Sequence, residues 1–193
     1  MDITIHLTDG GSYVFRQEAD DLAGMILQAS SPNKIFRQKQ LTINGKTSLT
    51  QISTHSIEYI EFSGCPLKPN WPKPPNVSKV TIISPERFKN AMKKFQETAP
   101  ELKAGIEPGE EAMGYGELVM TSGKTYYTCQ TLTTGGKIDQ RVAVAHMTEM
   151  GAIGAEVEDG CHAVINLATL VRWTAYPGPK ETPVNAWPAR RIG

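Results

Sequence analysis

Cysteine and histidine are the residue types with the widest chemical range in this chain, which has three cysteines and four histidines. Cys161 and His162 are adjacent, and a thiol beside an imidazole can form a nucleophile and its base. Neighbouring side chains of a strand point to opposite faces, however, so these two groups could not pair directly. The other histidines lack HxH or HExxH spacing, and no cysteines form a CxxC pair. We therefore predict no catalytic residue, metal site or cofactor.

The segment 65–103 is the best candidate for a binding surface, because it carries eight Lys or Arg residues against three Glu. Ser84 is a good N-cap and Pro85 suits a first helical turn, which predicts a helix with Phe88 and Met92 on one face. Two interpretations stay open. The apolar face docks on the sheets while the lysines face water, or the basic and aromatic side chains contact nucleic acid.

Two Trp-Pro pairs fall in proline-rich stretches, at Trp71-Pro72 and Trp187-Pro188. The density of prolines predicts an extended, polyproline-like spacer over 66–79. Each Trp either packs on its own or a neighbouring domain, or presents its ring to a partner. Together with the basic helix, these features give six candidate partner-binding residues: Trp71, Arg87, Lys89, Lys93, Lys94 and Trp187.

Similar segments recur 113 positions apart in the chain. Ile3–Phe15 resembles Glu117–Thr128, with the turn Thr8-Asp9-Gly10 falling on Thr121-Ser122-Gly123. Ser56–Phe62 likewise falls on Thr169–Ala175. A repeat of this kind predicts two related small domains.

Both proposed units alternate strand and turn patterns around one helical pattern. In the first, the hairpin at Asp9-Gly10-Gly11 is followed by a helix over Glu18–Ala29 and by strands near Leu41–Ile43 and Leu49–Phe62. In the second, a hairpin over Leu118–Leu132 precedes a segment, Asp139–Met150, that fits either helix or strand. Strands separated by Asp159-Gly160 and a last strand over Leu170–Tyr176 complete it.

These patterns predict an α+β fold. Each unit is a small, mainly antiparallel bent sheet or a small SH3- or Sm-like barrel with one inserted helix, and a Pro-rich strap and an amphipathic helix join the two. The expected boundaries are 1–64 for the first unit, 65–113 for the linker and basic helix, 114–176 for the second unit and 177–193 for a Pro-rich tail.

The Asp9-Gly10 hairpin and the Ile43-Asn44-Gly45 turn resemble the two short motifs of Sm-like small barrels. The inserted helix and the spacing depart from that pattern. The resemblance therefore implies a fold only, and no functional residue is carried over from it.

Charge and composition narrow the function classes. Lys plus Arg equals Asp plus Glu at 20 each, so the whole chain has no net charge to attract nucleic acid or an anionic membrane. No apolar run approaches the ~18 residues of a membrane helix, and no secretory pattern opens the chain. The odd number of scattered cysteines is typical of a reducing compartment, so we predict a cytoplasmic protein.

Three function classes follow, in order of preference. The first is a non-enzymatic module for binding a protein partner or for self-association, because duplicated β units with exposed edges suit assembly. The second is a nucleic-acid-binding protein that uses 65–103. The third is a small enzyme with a site between the two units, which requires a pocket with convergent ionisable groups.

Overall fold

The computed structural model of the chain describes residues 1–74, 77–102, 111–133, 149–158 and 160–176. Strands predominate, and the fold is mixed α+β. The strands are β1 (Asp2–Leu7), β2 (Ser12–Arg16), β3 (Gln40–Asn44), β4 (Leu49–Ser53), β5 (Ile57–Ser63), β6 (Val77–Ile83), β7 (Glu111–Met120), β8 (Thr125–Thr133), β9 (Ala152–Val157), β10 (His162–Asn166) and β11 (Leu170–Tyr176). The helices are α1 (Asp20–Ala29), the single turn α2 (Pro32–Ile35) and α3 (Pro85–Leu102), and short 3-10 turns occupy Thr54–Ser56 and Leu167–Thr169.

Nine of the described strands form one open sheet in the order β11-β7-β8-β6-β9-β10-β5-β1-β2, and β3 pairs with β4 in a separate two-stranded sheet. Neighbouring strands are antiparallel except for β6 and β9, which are parallel. The joint between the N-terminal and C-terminal parts of the sheet is the pair β5–β10, in which Ile60 lies opposite Val164. Among the described strands, the sheet therefore ends at β2 and β11 and does not close into a barrel.

Strand bounds and registers in the two halves of the chain correspond at an offset of 113 positions. Ile5 lies opposite Tyr13 in β1–β2, and Leu118 lies opposite Tyr126 in β7–β8. The turns between these strands correspond as well, with φ of 87° at Gly10 and 84° at Gly123. The backbone bonds from Thr8 N to Ser56 O and from Thr121 N to Thr169 O, both 2.9 Å, occupy equivalent positions.

Two apolar cores share the central strands. One core contains Ile5, Ile60 and Val164, and the other contains Tyr59 and Ile165. Since successive side chains of a strand point to opposite faces, β5 and β10 contribute alternate residues to each core. The strand pair that joins the two halves is therefore buried on both faces.

The linker before β6 is attached to the sheet by Trp71. Its indole N–H donates to the Leu27 carbonyl at 3.0 Å, and its ring packs edge-on against Phe62 and His162. Gly154 of β9 lies beneath the ring, where a Cβ atom would come within 2.7 Å of Trp71 Cε3. A side chain at position 154 would thus displace the indole.

Most of the predicted strands and helices are confirmed, including the N-cap of α3, where Arg87 N donates to Ser84 Oγ at 3.2 Å. Three bounds differ from the prediction: α1 begins at Asp20, β6 begins at Val77 within the segment predicted as an extended spacer, and β7 begins at Glu111 within the predicted linker. Gly135-Gly136, Asp159, the tail 177–193 and most of the segment predicted over Asp139–Met150 lie outside the described residues. No helix in the described ranges is both long and apolar enough to cross a membrane.

Gly154→Ala should lower the free energy of unfolding by about 1–3 kcal/mol, the usual cost of overpacking a core. The reason is the contact of the added methyl group with the Trp71 ring. Urea denaturation followed by tryptophan fluorescence measures the change.

Gly24→Ala is the matched control, because a Cβ there meets only Leu67 Cδ1 at an ordinary 3.5 Å. Alanine in the interior of helix α1 should leave stability unchanged or raise it by up to about 1 kcal/mol. Equal losses for the two variants would contradict the role assigned to Gly154.

Candidate functional site

A cleft of about 420 Å³ lies at the seam between the two halves of the chain. Its first wall comes from the α2 region and the 3-10 turn before β5. Its second comes from the 3-10 turn before β11, and the linker closes one side. The lining residues are Pro32, Phe36, Arg37, Thr54, His55, Pro72, Lys73, Glu149, Met150, Gly151, Asn166 and Ala168.

Asn166 holds the two walls together. Its side chain is buried, and Nδ2 donates to the Ile57 carbonyl at 2.8 Å and to the Thr54 carbonyl at 3.3 Å. Its Oδ1 accepts from Ala168 N at 3.1 Å, so the same side chain also fixes the turn before β11. The buried polar side chain of the cleft therefore forms hydrogen bonds that join the two walls of the cleft.

Four ionisable side chains line the cleft: Arg37, His55, Lys73 and Glu149. Three can carry a positive charge, which favours a small anion over a cation. The nearby Thr54 hydroxyl is not placed as a nucleophile, because it donates to the Gln38 carbonyl at 2.5 Å. The described lining residues thus provide charged side chains for binding. They do not include a nucleophile hydrogen-bonded to a base, which covalent catalysis needs.

Cys161 and His162 differ in burial. His162 is buried against the Trp71 ring, with ring centroids 6.2 Å apart, whereas Cys161 precedes β10 and is half-buried. All three cysteines lie in the described ranges and none forms a disulfide. The described residues also contain no cluster of three potential metal ligands.

A buried carboxylate links the first half of the sheet to the second. Glu58 is 0% exposed and accepts hydrogen bonds from the backbone N–H and the hydroxyl of Ser122, at 2.6 and 2.7 Å. Ser122 lies in the β7–β8 turn, so a residue of β5 caps a turn of the other half. A buried charge is tolerated only when its oxygens are satisfied in this way.

Glu58 occupies a bulge. The pairing of β1 with β5 passes from His6↔Tyr59 to Leu7↔Ile57 and skips Glu58. The pairing of β7 with β11 skips the equivalent Val171, which is 68% exposed. The extra residue of each bulge is thus free to turn away from its ladder, and in β5 it reaches the opposite half.

The basic helix α3 docks through its apolar face. Phe88 is buried among the rings of Tyr115, Tyr127 and Tyr176, the nearest at 4.5 Å between centroids. Lys89, Lys93 and Lys94 are exposed on the helix. This arrangement agrees with the docked-helix interpretation and leaves the three lysines facing outward.

Several other basic residues of 65–103 are engaged in ion pairs. Arg87 Nη1 lies 2.6 Å from Glu158 Oε1. Lys68 and Lys79 both pair with Glu156. Burial alone would raise the pKa of Glu156, but these two ammonium groups lower it to about 2. The positive charge of the segment is therefore partly neutralised by acidic residues at the end of β9.

Of the six candidate residues, Trp71 is 9% exposed and belongs to the core, and Trp187 lies outside the described residues. The other four, Arg87, Lys89, Lys93 and Lys94, share helix α3. They do not line the seam cleft. The structure thus separates the basic helix from the cleft instead of combining them in one site.

Each end of the open sheet carries exposed apolar side chains. In β2, Tyr13 is 51% and Val14 is 65% exposed; at the other end, Val171 of β11 is exposed as noted. Among the described strands, β2 pairs only with β1 and β11 only with β7. Both ends therefore offer unpaired backbone groups beside apolar surface, which is the arrangement that accepts a further strand.

Sequence reasoning did not identify Glu58 or Asn166, because a single polar residue in an apolar strand pattern looks like an ordinary surface position. One signal was available for Glu58. The equivalent position of the second half holds Val171, so the two halves differ in charge at the position where a side chain of β5 contacts the other half.

Comparison of the chain with protein-family models, with curated protein sequences and with solved structures found no match.

Glu58→Gln and Ser122→Ala should each lower the free energy of unfolding, by about 1.5–3 kcal/mol for loss of charged hydrogen bonds at Glu58. Because the two residues share one interaction, the double variant should be less destabilised than the sum of the single variants. Denaturant titrations of the four proteins in the cycle measure this, with the exposed Glu18→Gln as a control. Additive effects would show that the two residues act independently.

Stability should also fall as the pH is lowered through about 6.5, the ordinary pKa of histidine in the unfolded chain. Burial lowers the pKa of both His6 and His162, so the unfolded chain binds protons that the folded chain does not. His162→Gln should make the free energy of unfolding less dependent on pH between about 7 and 5. The exposed His55→Gln is the control, and equal slopes in the wild type and His162→Gln would contradict the assignment.

Proposed function

We propose that this chain is a non-enzymatic binding or assembly module, built from two copies of one small β unit, that recognises its partner through the edges of its open sheet. The observation that carries the proposal is that, among the described strands, β2 and β11 are each paired on one side only and expose apolar side chains. Natural proteins protect such edges unless they are used.

The duplication is supported by the equivalence of the two halves. The pairing of β1 with β5 and of β7 with β11 runs from Asp2↔Ser63 and Tyr115↔Tyr176, at the same offset and with equivalent bulges. Identical offsets in strand bounds, register, bulge and turn are more than two unrelated hairpins would share. We further propose that the unit boundaries fall at 1–64 and 114–176, although β6 from the intervening segment pairs into the sheet.

The equivalent edges inside the chain support the use of these edges for binding. Strand β8 is the counterpart of β2, and its outer edge is covered by β6. Strand β5 is the counterpart of β11, and its outer edge is covered by β10. The outer edges of β8 and β5 are thus both paired with a strand of the same chain. The equivalent edges of β2 and β11 are therefore suitable for pairing with a strand of another molecule.

A role without catalysis agrees with the seam cleft, where Asn166 and Thr54 are engaged in structural hydrogen bonds. The cytoplasmic location stays a prediction from the cysteine content.

Val14→Lys and Val171→Lys test the proposal, because a charge on an edge strand opposes addition of another strand. We expect the wild type to form an oligomer or a stable complex, and each substitution at the edge in use to weaken it about tenfold, or about 1.4 kcal/mol. Multi-angle light scattering and affinity capture from native lysate give the two readouts. Met25→Lys, an equally exposed position on helix α1, is the matched control.

A strictly monomeric wild type, together with no captured protein that the edge variants lose and Met25→Lys retains, would overturn the proposal. Binding that is unchanged by both edge substitutions would place the interface elsewhere. Binding of nucleic acid that falls with salt and with removal of Lys89 and Lys93 would instead favour the basic helix as the functional surface.

A further inference from the structure

The strand pair β5–β10 is an interface between the two halves of the chain, and the equivalent strand pair is not formed among the described strands. In β5–β10, His162 lies opposite Phe62, Ala163 opposite Glu61, Val164 opposite Ile60 and Ile165 opposite Tyr59. At the 113-position offset, β10 corresponds to β4 and β5 corresponds to β11. The counterpart of this interface would therefore be a pair between β4 and β11.

Within the described part of the chain, β4 and β11 do not pair with each other. β4 pairs only with β3, and β11 pairs only with β7. Each strand thus keeps one edge unpaired, and these two edges are the counterparts of the two that meet in β5–β10. The chain carries both halves of a strand pair that it does not form internally among these residues.

We propose that β4 of one copy of this chain pairs antiparallel with β11 of a second copy, in the register of β5–β10. This inference rests on the proposed function and names its partner as another molecule of the same chain. The expected register places Leu49 opposite Ala175, Thr50 opposite Thr174, Gln51 opposite Trp173 and Ile52 opposite Arg172.

The side chains of the two strands suit this pairing. Leu49, which is 63% exposed, would cover Ala175, and the two threonines would form a favourable cross-strand pair. β4 contains neither a charge nor a proline, so it lacks the usual features that protect an edge. The only charge in β11 is Arg172, which is already paired with Glu117.

The bulge in β11 does not oppose the pairing. Strand β5 has the equivalent bulge at Glu58 and still accepts β10 on its other edge. In the β5–β10 interface the bulged residue, Glu58, contacts Ser122, whose counterpart at the 113-position offset is Asp9. A glutamate at position 171 would meet Asp9 of the next copy with like charge, whereas Val171 would not.

Such an interface is heterologous, since β4 on one copy meets β11 on the next. Repetition of a heterologous contact produces a closed ring or an open chain of molecules, according to the rotation at each step. The mass in solution should therefore rise with concentration beyond that of a dimer, or reach the value of a closed ring.

Paired cysteine substitutions test the register directly. In an antiparallel pair, successive opposed residues alternate between wide and close spacing. One of the two variants Thr50→Cys/Thr174→Cys and Leu49→Cys/Ala175→Cys must then occupy a closely spaced pair that a disulfide can bridge. We expect oxidation with diamide to give covalent oligomers of that variant, with a disulfide between the two substituted positions identified by peptide mass spectrometry.

Two controls accompany these variants: the wild type, which reports the native cysteines, and Thr50→Cys/Val171→Cys, which is out of register. The expected yield of intermolecular cross-link is at least about tenfold above both controls, because only opposed positions bring the two thiols within bonding distance. Circular dichroism of each variant checks that the fold is retained.

An oligomeric wild type without cross-links in either registered variant would overturn the β4–β11 inference and leave the proposed assembly function intact. A disulfide between positions 50 and 174 within a single chain would overturn it by showing that the two edges meet internally. A monomeric wild type without cross-links would also overturn it, and the proposed function would then depend on the edge-specific partner alone.

Discussion

The pairing of β5 with β10 is the interaction on which the rest of the structure depends. These strands connect the half of the sheet that ends at β2 to the half that ends at β11. They are also buried on both faces, with Ile60 and Val164 facing one core and Tyr59 and Ile165 facing the other. Loss of this strand pair would expose apolar area of both cores at once, and each buried side chain of this size is worth about 1.5–3 kcal/mol. The two halves therefore stabilise each other instead of folding as independent units.

Glu58 gives this joint its specificity. A carboxylate without partners in such a place would cost several kcal/mol, yet here both oxygens accept hydrogen bonds from Ser122 of the other half. Any shift of β10 along β5 would move the β7–β8 turn away from Glu58 and leave its charge unsatisfied. The apolar contacts supply most of the attraction, whereas the buried carboxylate selects one register among those that apolar contacts would tolerate.

The local structure was predictable because it is determined by nearby residues. Glycine at positions 10 and 123 permits the positive φ of each turn, and Ser84 followed by Pro85 marks the start of α3. The start of α1 differs from the prediction for a reason that the pattern does not contain. Backbone bonds between Gln17 and Met1 prolong the extended segment after β2, so the helix begins only at Asp20.

The arrangement of the strands was not predictable from the same patterns. An alternation of apolar residues shows which face of a strand is buried, but not which strand will lie at its edge. The insertion of β6 between β8 and β9 and the pairing of β5 with β10 both depend on contacts distant in the sequence. The seam cleft was expected as a location. The roles of Asn166, which joins the walls of the cleft, and of Glu58, which bonds to Ser122 of the other half, depend on contacts between residues distant in the sequence.

The two halves have equivalent strands but different neighbouring strands. Because the two halves have equivalent strands, each edge that is covered in one half has an equivalent edge in the other half. In the second half β6 pairs with β8, and in the first half β10 pairs with β5, whereas the corresponding edges of β2 and β11 have no described partner. The two halves therefore correspond in strand bounds and registers and differ in the strands that pair with their edges. Among the described strands, the central ones are therefore paired on both edges within the chain, whereas β2 and β11 are each paired on one edge.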